Sequence, residues 1–199
     1  MGPISTCVII AKYSILFSML SGTAKVVWEF IESIVFALAI FAIVYLFLFQ
    51  PNQVKGKSMH PTFEDNEYIL TDKVTFRMRS PKYNDIVVFK SPKNEEVDFI
   101  KRIIGTPGDK VRISGGKVYL NGEELLENYL PVSAFTPSGN FAREGVEVVV
   151  PDNQYFVLGD NRTGSSDSRE WGFVKREEFI GKVFFRYFPF NRFGVTLEP

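Results

Sequence analysis

One cysteine and one histidine are all that 199 residues offer of the two side chains on which most transition-metal centres are built. Cys7, near the N-terminus, has no second thiol, which excludes an internal disulfide and any cysteine-based metal site. Charge of one sign is missing too. Lys plus Arg and Asp plus Glu both number 23, so no net field draws the chain toward nucleic acid or acidic partners. No repeat of fixed period and no low-complexity tract is visible, which argues against a solenoid or a disordered tail. The expectation is a chain without metal, cofactor or nucleic acid.

Apolar residues make up 45% of the chain and aromatic ones 15%, enough for one globular domain and a separate hydrophobic segment. Residues 31–49 read IESIVFALAIFAIVYLFLF, with no full charge beyond Glu32. At ~1.5 Å per residue, about 19 helical residues cross a bilayer core of roughly 30 Å. Trp28 and Tyr45 suit membrane interfaces, and Pro51 cannot continue a helix. A buried core helix would show a polar stripe, and residues 33–49 have none. The run is too long for the core of a secretory signal and no small-residue cleavage site follows it, so it is expected to stay as an anchor. Residues 1–30 then form a cytoplasmic or weakly membrane-associated segment, 31–50 a transmembrane anchor and 51–199 a folded domain. The stretch ISTCVIIAKYSILFSML, interrupted by Lys12, stays open between a second span, an interfacial helix and an extension upstream of a start at Met19. Lys25 on one flank is balanced by Lys55 and Lys57 on the other, so charge does not orient the anchor.

Beyond residue 50 the chain turns to short runs rich in Val, Ile, Phe and Tyr. EYILTDKV, DIVVFKSP, DFIKRIIG, DKVRIS, KVYLNG, EVVVP, QYFVLGD and IGKVFFRYF are of strand length. Turn pairs punctuate them at Asn84-Asp85, Pro107-Gly108, Gly115-Gly116 and Asn121-Gly122. The pattern predicts a mostly β domain, an antiparallel sheet or barrel-like arrangement, following the N-terminal transmembrane helix. Residues 77–85 and 132–145 read as surface excursions.

Ser58, in GKSMHPTF, is a candidate nucleophile that needs a proton acceptor. His60 is two positions along, where an extended chain stands the two side chains parallel, and there is no second histidine. A Ser-His-Asp triad is therefore disfavoured. Carboxylates are weak bases for an alcohol at neutral pH, and a lysine serves only when uncharged. In VDFIKRIIG, alternation puts Phe99, Lys101 and Ile103 on one face. Apolar neighbours disfavour the ammonium, and full burial lowers a lysine pKa by up to about 3–5 units. Alternation alone does not single out Lys101: Arg102 shares an equally apolar face with Ile100 and Ile104, and a strand lysine commonly snorkels to water. A third stretch, GDNRTGSSDSREWGFV at 159–174, follows QYFVLGD with a composition that makes turns and side-chain hydrogen bonds.

In that order after an N-terminal anchor, GKSMHPTF, DFIKRIIGTPGDKV and GDNRTGSSDSREWGFV resemble the motifs of bacterial type I signal peptidase, the Ser-Lys proteases that trim signal peptides from exported proteins. The resemblance reaches from the anchor to about Gly181 and leaves the two excursions unassigned. It implies that Ser58 is the nucleophile, that Lys101 is its general base, and that Ser165 hydrogen-bonds the lysine amine and orients it. Asp167 and Arg169 match a structural ion pair, and Val54, Met59, Phe63, Phe99 and Ile100 match positions near the substrate clefts. The oxyanion would be held by the backbone N–H of Ser58. Gram-negative members carry a hydroxyl residue two places before the nucleophile where this chain has Gly56. Loss of one such donor costs about 2.7–4 kcal/mol, so a compensating donor is expected.

The implied partners are signal peptides of exported preproteins, with small residues one and three places before the cut, the phospholipid bilayer, and protein-export machinery nearby. The implied location is the cell membrane, with a single span and the catalytic domain on the extracytoplasmic side. The stretch from Gln50 to Ser58 reaches at most about 28 Å when extended, which keeps the serine near the bilayer. Two other readings stay open. A self-cleaving repressor-type Ser-Lys protease would carry a DNA-binding module or an internal Ala-Gly site, and the hydrophobic N-terminus offers neither. A catalytically inert, membrane-tethered β-domain would use the 159–174 loop for recognition alone.

Overall fold

The computed structural model describes residues 22–195 except residue 93, and the chain divides into two units between residues 47 and 48. Helix α1 runs over Gly22–Leu48. It starts well before Ile31, where the apolar run suggested the anchor begins. Hydropathy marks membrane depth, whereas a helix continues until a breaker stops it, and Ala24 to Phe30 contain none. Its Gly22–Tyr45 stretch, mean hydropathy 2.2, is long and apolar enough to cross a membrane. Apolar side chains are exposed all round it, among them Val35, Phe36, Leu38 and Phe41. The Ser33 hydroxyl donates back to the Phe30 carbonyl at 2.9 Å, which satisfies it within the helix.

The second unit is antiparallel throughout. In chain order it contains β1 (Phe49–Gln53), β2 (Tyr68–Asp72), the single turn α2 (Thr75–Met78), β3 (Ile86–Ser91), β4 (Asn94–Gly105), β5 (Lys110–Ser114) and β6 (Lys117–Leu120). There follow β7 (Glu123–Glu124), β8 (Glu147–Val149), β9 (Gln154–Leu158), the turn α3 (Ser168–Trp171), β10 (Val174–Lys175), β11 (Phe179–Phe188) and β12 (Gly194–Val195). The larger sheet has the order β1-β2-β11-β3-β4-β9-β10, with β12 on β11; the smaller is β7-β6-β5-β8. Residues 49 and 50, counted with the anchor by hydropathy, belong to β1, and Pro51 sits on that edge strand, where a missing N–H costs little.

Gly115-Gly116 and Asn121-Gly122 each close a two-residue hairpin, and all four residues have positive φ, as such turns demand. β4 is central. Its middle pairs with β3, Lys101 opposite Val87, and its end pairs with β9, Arg102 opposite Leu158. Its alternating side chains feed different cores: Ile103 and Phe99 join Val87, Phe89, Val157 and Phe179, while Ile100 packs on Val54, Met59, Phe63 and Val88.

The two excursions are more than surface loops. Asp85 is buried and takes Arg79 in a bidentate pair and Lys182 at 2.8 Å. In the second, Thr136 and Ala142 are buried, and the Phe141 and Ala142 amides both donate to the Arg169 carbonyl.

Candidate active site

The turn after β1 presents Ser58. His60 N–H donates to Lys57 O and Phe63 N–H to Met59 O, which coils residues 57–63 and turns Met59 and Phe63 inward. From β4, Lys101 extends toward this turn. Its Nζ lies 3.0 Å from Ser58 Oγ and 3.0 Å from the Ile100 carbonyl, and 5.0 Å from the Phe99 ring centre. Lys101 is only 3% exposed. Burial drives its pKa down from 10.5 to about 8, against the pull of the Asp167 and Asp160 carboxylates and with some help from the Arg169 guanidinium. His60 points elsewhere: its Nδ1 is 3.0 Å from Glu64 in an exposed pair.

The loop after β9 closes over this pair. Asp167 accepts from the Gly159 N–H at 3.0 Å and holds Arg169 through Nε at 2.7 Å and a second nitrogen at 2.8 Å; both residues are buried. Arg169 also donates to the Ser165 and Pro137 carbonyls, so the ion pair ties the loop to the second excursion. Gly159 must be glycine for close approach: a Cβ there would lie 2.2 Å from Ser165 Oγ and 2.5 Å from Ser58 O.

An open cleft of about 570 Å³ runs past Ser58 and Lys101, with Val54, Met59, Phe99 and Ile100 among its apolar lining. Phe63, expected near a substrate cleft, does not line it. It is fully buried among Ile69, Ile86, Val88 and Val183, because the 57–63 turn rotates it into the core. The hydrogen bond expected from Ser165 to the lysine amine is not made either. Ser165 Oγ is buried without a partner, packed beside Gly159, while the amine is engaged by the main-chain carbonyl that β4 brings within its reach. Gly56 has φ +86°, a conformation that disfavours a hydroxyl residue at this position. Its N–H is already taken by Asp65 at 2.7 Å.

Sequence reasoning missed what Arg102 does. It reaches across to Asp160 with 2.9 and 2.7 Å bonds, donates to Asn84 at 2.7 Å and lies 3.8 Å from the Tyr129 ring. Thr62, from the serine turn, donates to the same carboxylate at 2.5 Å. A guanidinium flanked by apolar residues needs a buried acceptor, and that was the available signal. Arg162 similarly joins Glu127 and Thr136 to the loop. Among the described residues, no group of three His, Cys, Asp or Glu side chains is arranged to hold a metal ion.

A family model described as "Signal peptidase, peptidase S26" matches residues 27–188. The chain belongs to the S26 signal peptidase family. It is 43% identical over 157 residues to a probable signal peptidase I-2 of Synechocystis, covering 76% of this chain and 69% of that one. To signal peptidase IB of Staphylococcus aureus it is 36% identical over 186 residues, 88% of this chain and 96% of the relative. A crystal structure of a signal peptidase I from Enterococcus faecalis is 33% identical, with a TM-score of 0.44, and matches 52% of this chain and 97% of its own. This S26 peptidase thus combines a family-wide enzymatic character with a serine and a buried lysine in hydrogen-bond contact.

Proposed function

We propose that this chain is a membrane-anchored signal peptidase I that cleaves N-terminal signal peptides from exported preproteins, with Ser58 as nucleophile and Lys101 as general base. The observation that carries the reading is the 3.0 Å contact between Ser58 Oγ and an amine that burial holds at a pKa of about 8. At that value roughly a tenth of the amine is neutral at pH 7, against less than one part in a thousand for a free lysine. The neutral amine takes the hydroxyl proton as Oγ attacks the scissile carbonyl, and the resulting ammonium gives it to the leaving amine. Water, deprotonated by the same nitrogen, then hydrolyses the acyl-enzyme. The Ser58 N–H holds the oxyanion, and the apolar lining from Val54, Met59, Phe99 and Ile100 favours small side chains on the substrate.

Helix α1 is the anchor in this reading: apolar on every side, it crosses the bilayer once, with the β unit on the extracytoplasmic face and near the export machinery. The test uses the full chain in detergent and a preprotein with Ala-x-Ala before the junction. Wild type cuts at that junction, while Ser58→Ala and Lys101→Met each abolish cutting with the circular dichroism unchanged. Cleavage that survives either substitution overturns the role given to that residue, and an inactive wild type would favour the inert β-domain.

A further inference from the structure

The serine turn is held from one place in the 159–174 loop. Asn161 Nδ2 donates to the Lys57 carbonyl at 3.0 Å, and the Asn161 backbone N–H donates to the Ser58 carbonyl at 3.0 Å. One residue therefore grips both peptide groups that flank the nucleophile. The Lys57–Ser58 peptide is trans, so its carbonyl and its N–H point in opposite directions from one rigid plane. A donor fixed on the Lys57 oxygen sets the direction of the Ser58 N–H on the far edge, and it polarises that N–H as well. His60 N–H is a second donor to the same oxygen at 3.2 Å, but it belongs to the turn itself and moves with it.

The amide is itself held. Its Oδ1 accepts from Gly164 N–H at 3.1 Å, and the space it occupies exists because residue 164 lacks a side chain: a Cβ there would lie 2.7 Å from Nδ2. The next residue, Arg162, is buried and anchored to Thr136 at 2.8 Å and to the Gly159 carbonyl at 3.1 Å, so the clamp stands on a fixed base.

We propose that Asn161 is a positioning residue for peptide-bond cleavage, its side-chain amide aiming the Ser58 N–H at the oxyanion. The proposal rests on the reading of Ser58 as nucleophile. Removing an oxyanion donor outright costs about 10²–10³ in kcat, and misplacement by about 1 Å can cost 10²-fold; a clamp acting through the peptide plane is expected to cost about 10–100-fold.

The test compares wild type, Asn161→Ala, Asn161→Asp and Ser58→Ala in the detergent-solubilised full chain, at pH values above the Lys101 titration. Asn161→Asp keeps an acceptor for Gly164 but sets a charged acceptor oxygen, in place of the donor, against the Lys57 carbonyl, so it removes the clamp in a second way and serves if the alanine variant fails to fold. Three quantities are read: kcat and KM on an Ala-x-Ala preprotein, the affinity of an Ala-x-Ala peptide aldehyde whose carbonyl oxygen becomes an oxyanion when Ser58 Oγ adds to it, and the affinity of the matching unreactive peptide amide. The expected result is a fall of about 10–100-fold in kcat and, in the same proportion, in aldehyde affinity, with KM and amide affinity within about two-fold of wild type. A merely structural role would lower aldehyde and amide affinity alike. That pattern, or unchanged kcat and aldehyde affinity, overturns the clamp. Ser58→Ala separates the two ideas: if it still cleaves, the nucleophile reading has failed, whereas inactive Ser58→Ala beside fully active Asn161 variants removes the clamp alone.

Discussion

At Lys101 the outcome depends on how far burial outweighs attraction. Two carboxylates, Asp167 and Asp160, favour the ammonium, yet desolvation is the larger effect and the pKa falls to about 8. The folded value lies below the unfolded one, so the native state binds the lysine proton less readily than the unfolded chain does. The resulting penalty is complete below about pH 8, shrinks as the pH rises, and is gone above the unfolded value of 10.5. Lys101→Met has no such penalty. Urea denaturation should show its stability relative to wild type falling by about 3 kcal/mol between pH 7 and pH 11. A pH-independent difference would mean that the amine is already charged and solvated in the folded protein. The residue alone was hard to pick from sequence. Lys101 and Arg102 sit side by side with apolar neighbours, and only the motifs around them singled out Lys101 as the proposed base.

At the scale of elements, β4 does two jobs with adjacent residues, because alternation sends their side chains to opposite faces. Lys101 meets the serine turn, and Arg102 meets Asp160 at the head of the loop that covers it. Thr62 joins the same carboxylate, so one buried ion pair locks the Ser58 turn, the Lys101 strand and the covering loop together. Removing one partner of such a pair leaves an uncompensated buried charge and typically costs about 3–5 kcal/mol. Asp160→Ala is therefore predicted to lower unfolding stability by about that amount, as read by urea denaturation, and to reduce cleavage at temperatures where the protein is still folded. A loss below about 1 kcal/mol would place Arg102 in water. The strands themselves were legible. Each of the eight runs read as strand-length appears as a strand, since Val, Ile, Phe and Tyr alternate between Gly- and Asn-containing turns. β1, β7, β10 and β12 were not, being short or, in β1, merged by hydropathy with the helix before it. Pairings between residues distant in sequence, such as Arg102–Asp160, carry no local signature.

Across the whole molecule, the proposed chemistry and the proposed anchor fall in separate units. The apolar helix has no Asp, Glu, Lys, Arg or His from Ser33 to its end, and the β unit holds every residue to which the proposed reaction gives a role. That division was plain from composition, because a run without a polar stripe cannot fold into a small β domain. Less legible was the Phe63 side chain, whose direction depends on a turn, and the Ser165 hydroxyl, whose neighbours are set by the path of the covering loop. The account as a whole depends on the protonation of one nitrogen. Its most direct test is a ¹³C NMR titration of lysine Cε in the full-length, detergent-solubilised protein, with the Lys101 resonance assigned by its disappearance in Lys101→Met. The account predicts an inflection at about pH 8; an inflection near the ordinary lysine value of about 10.4 would contradict it.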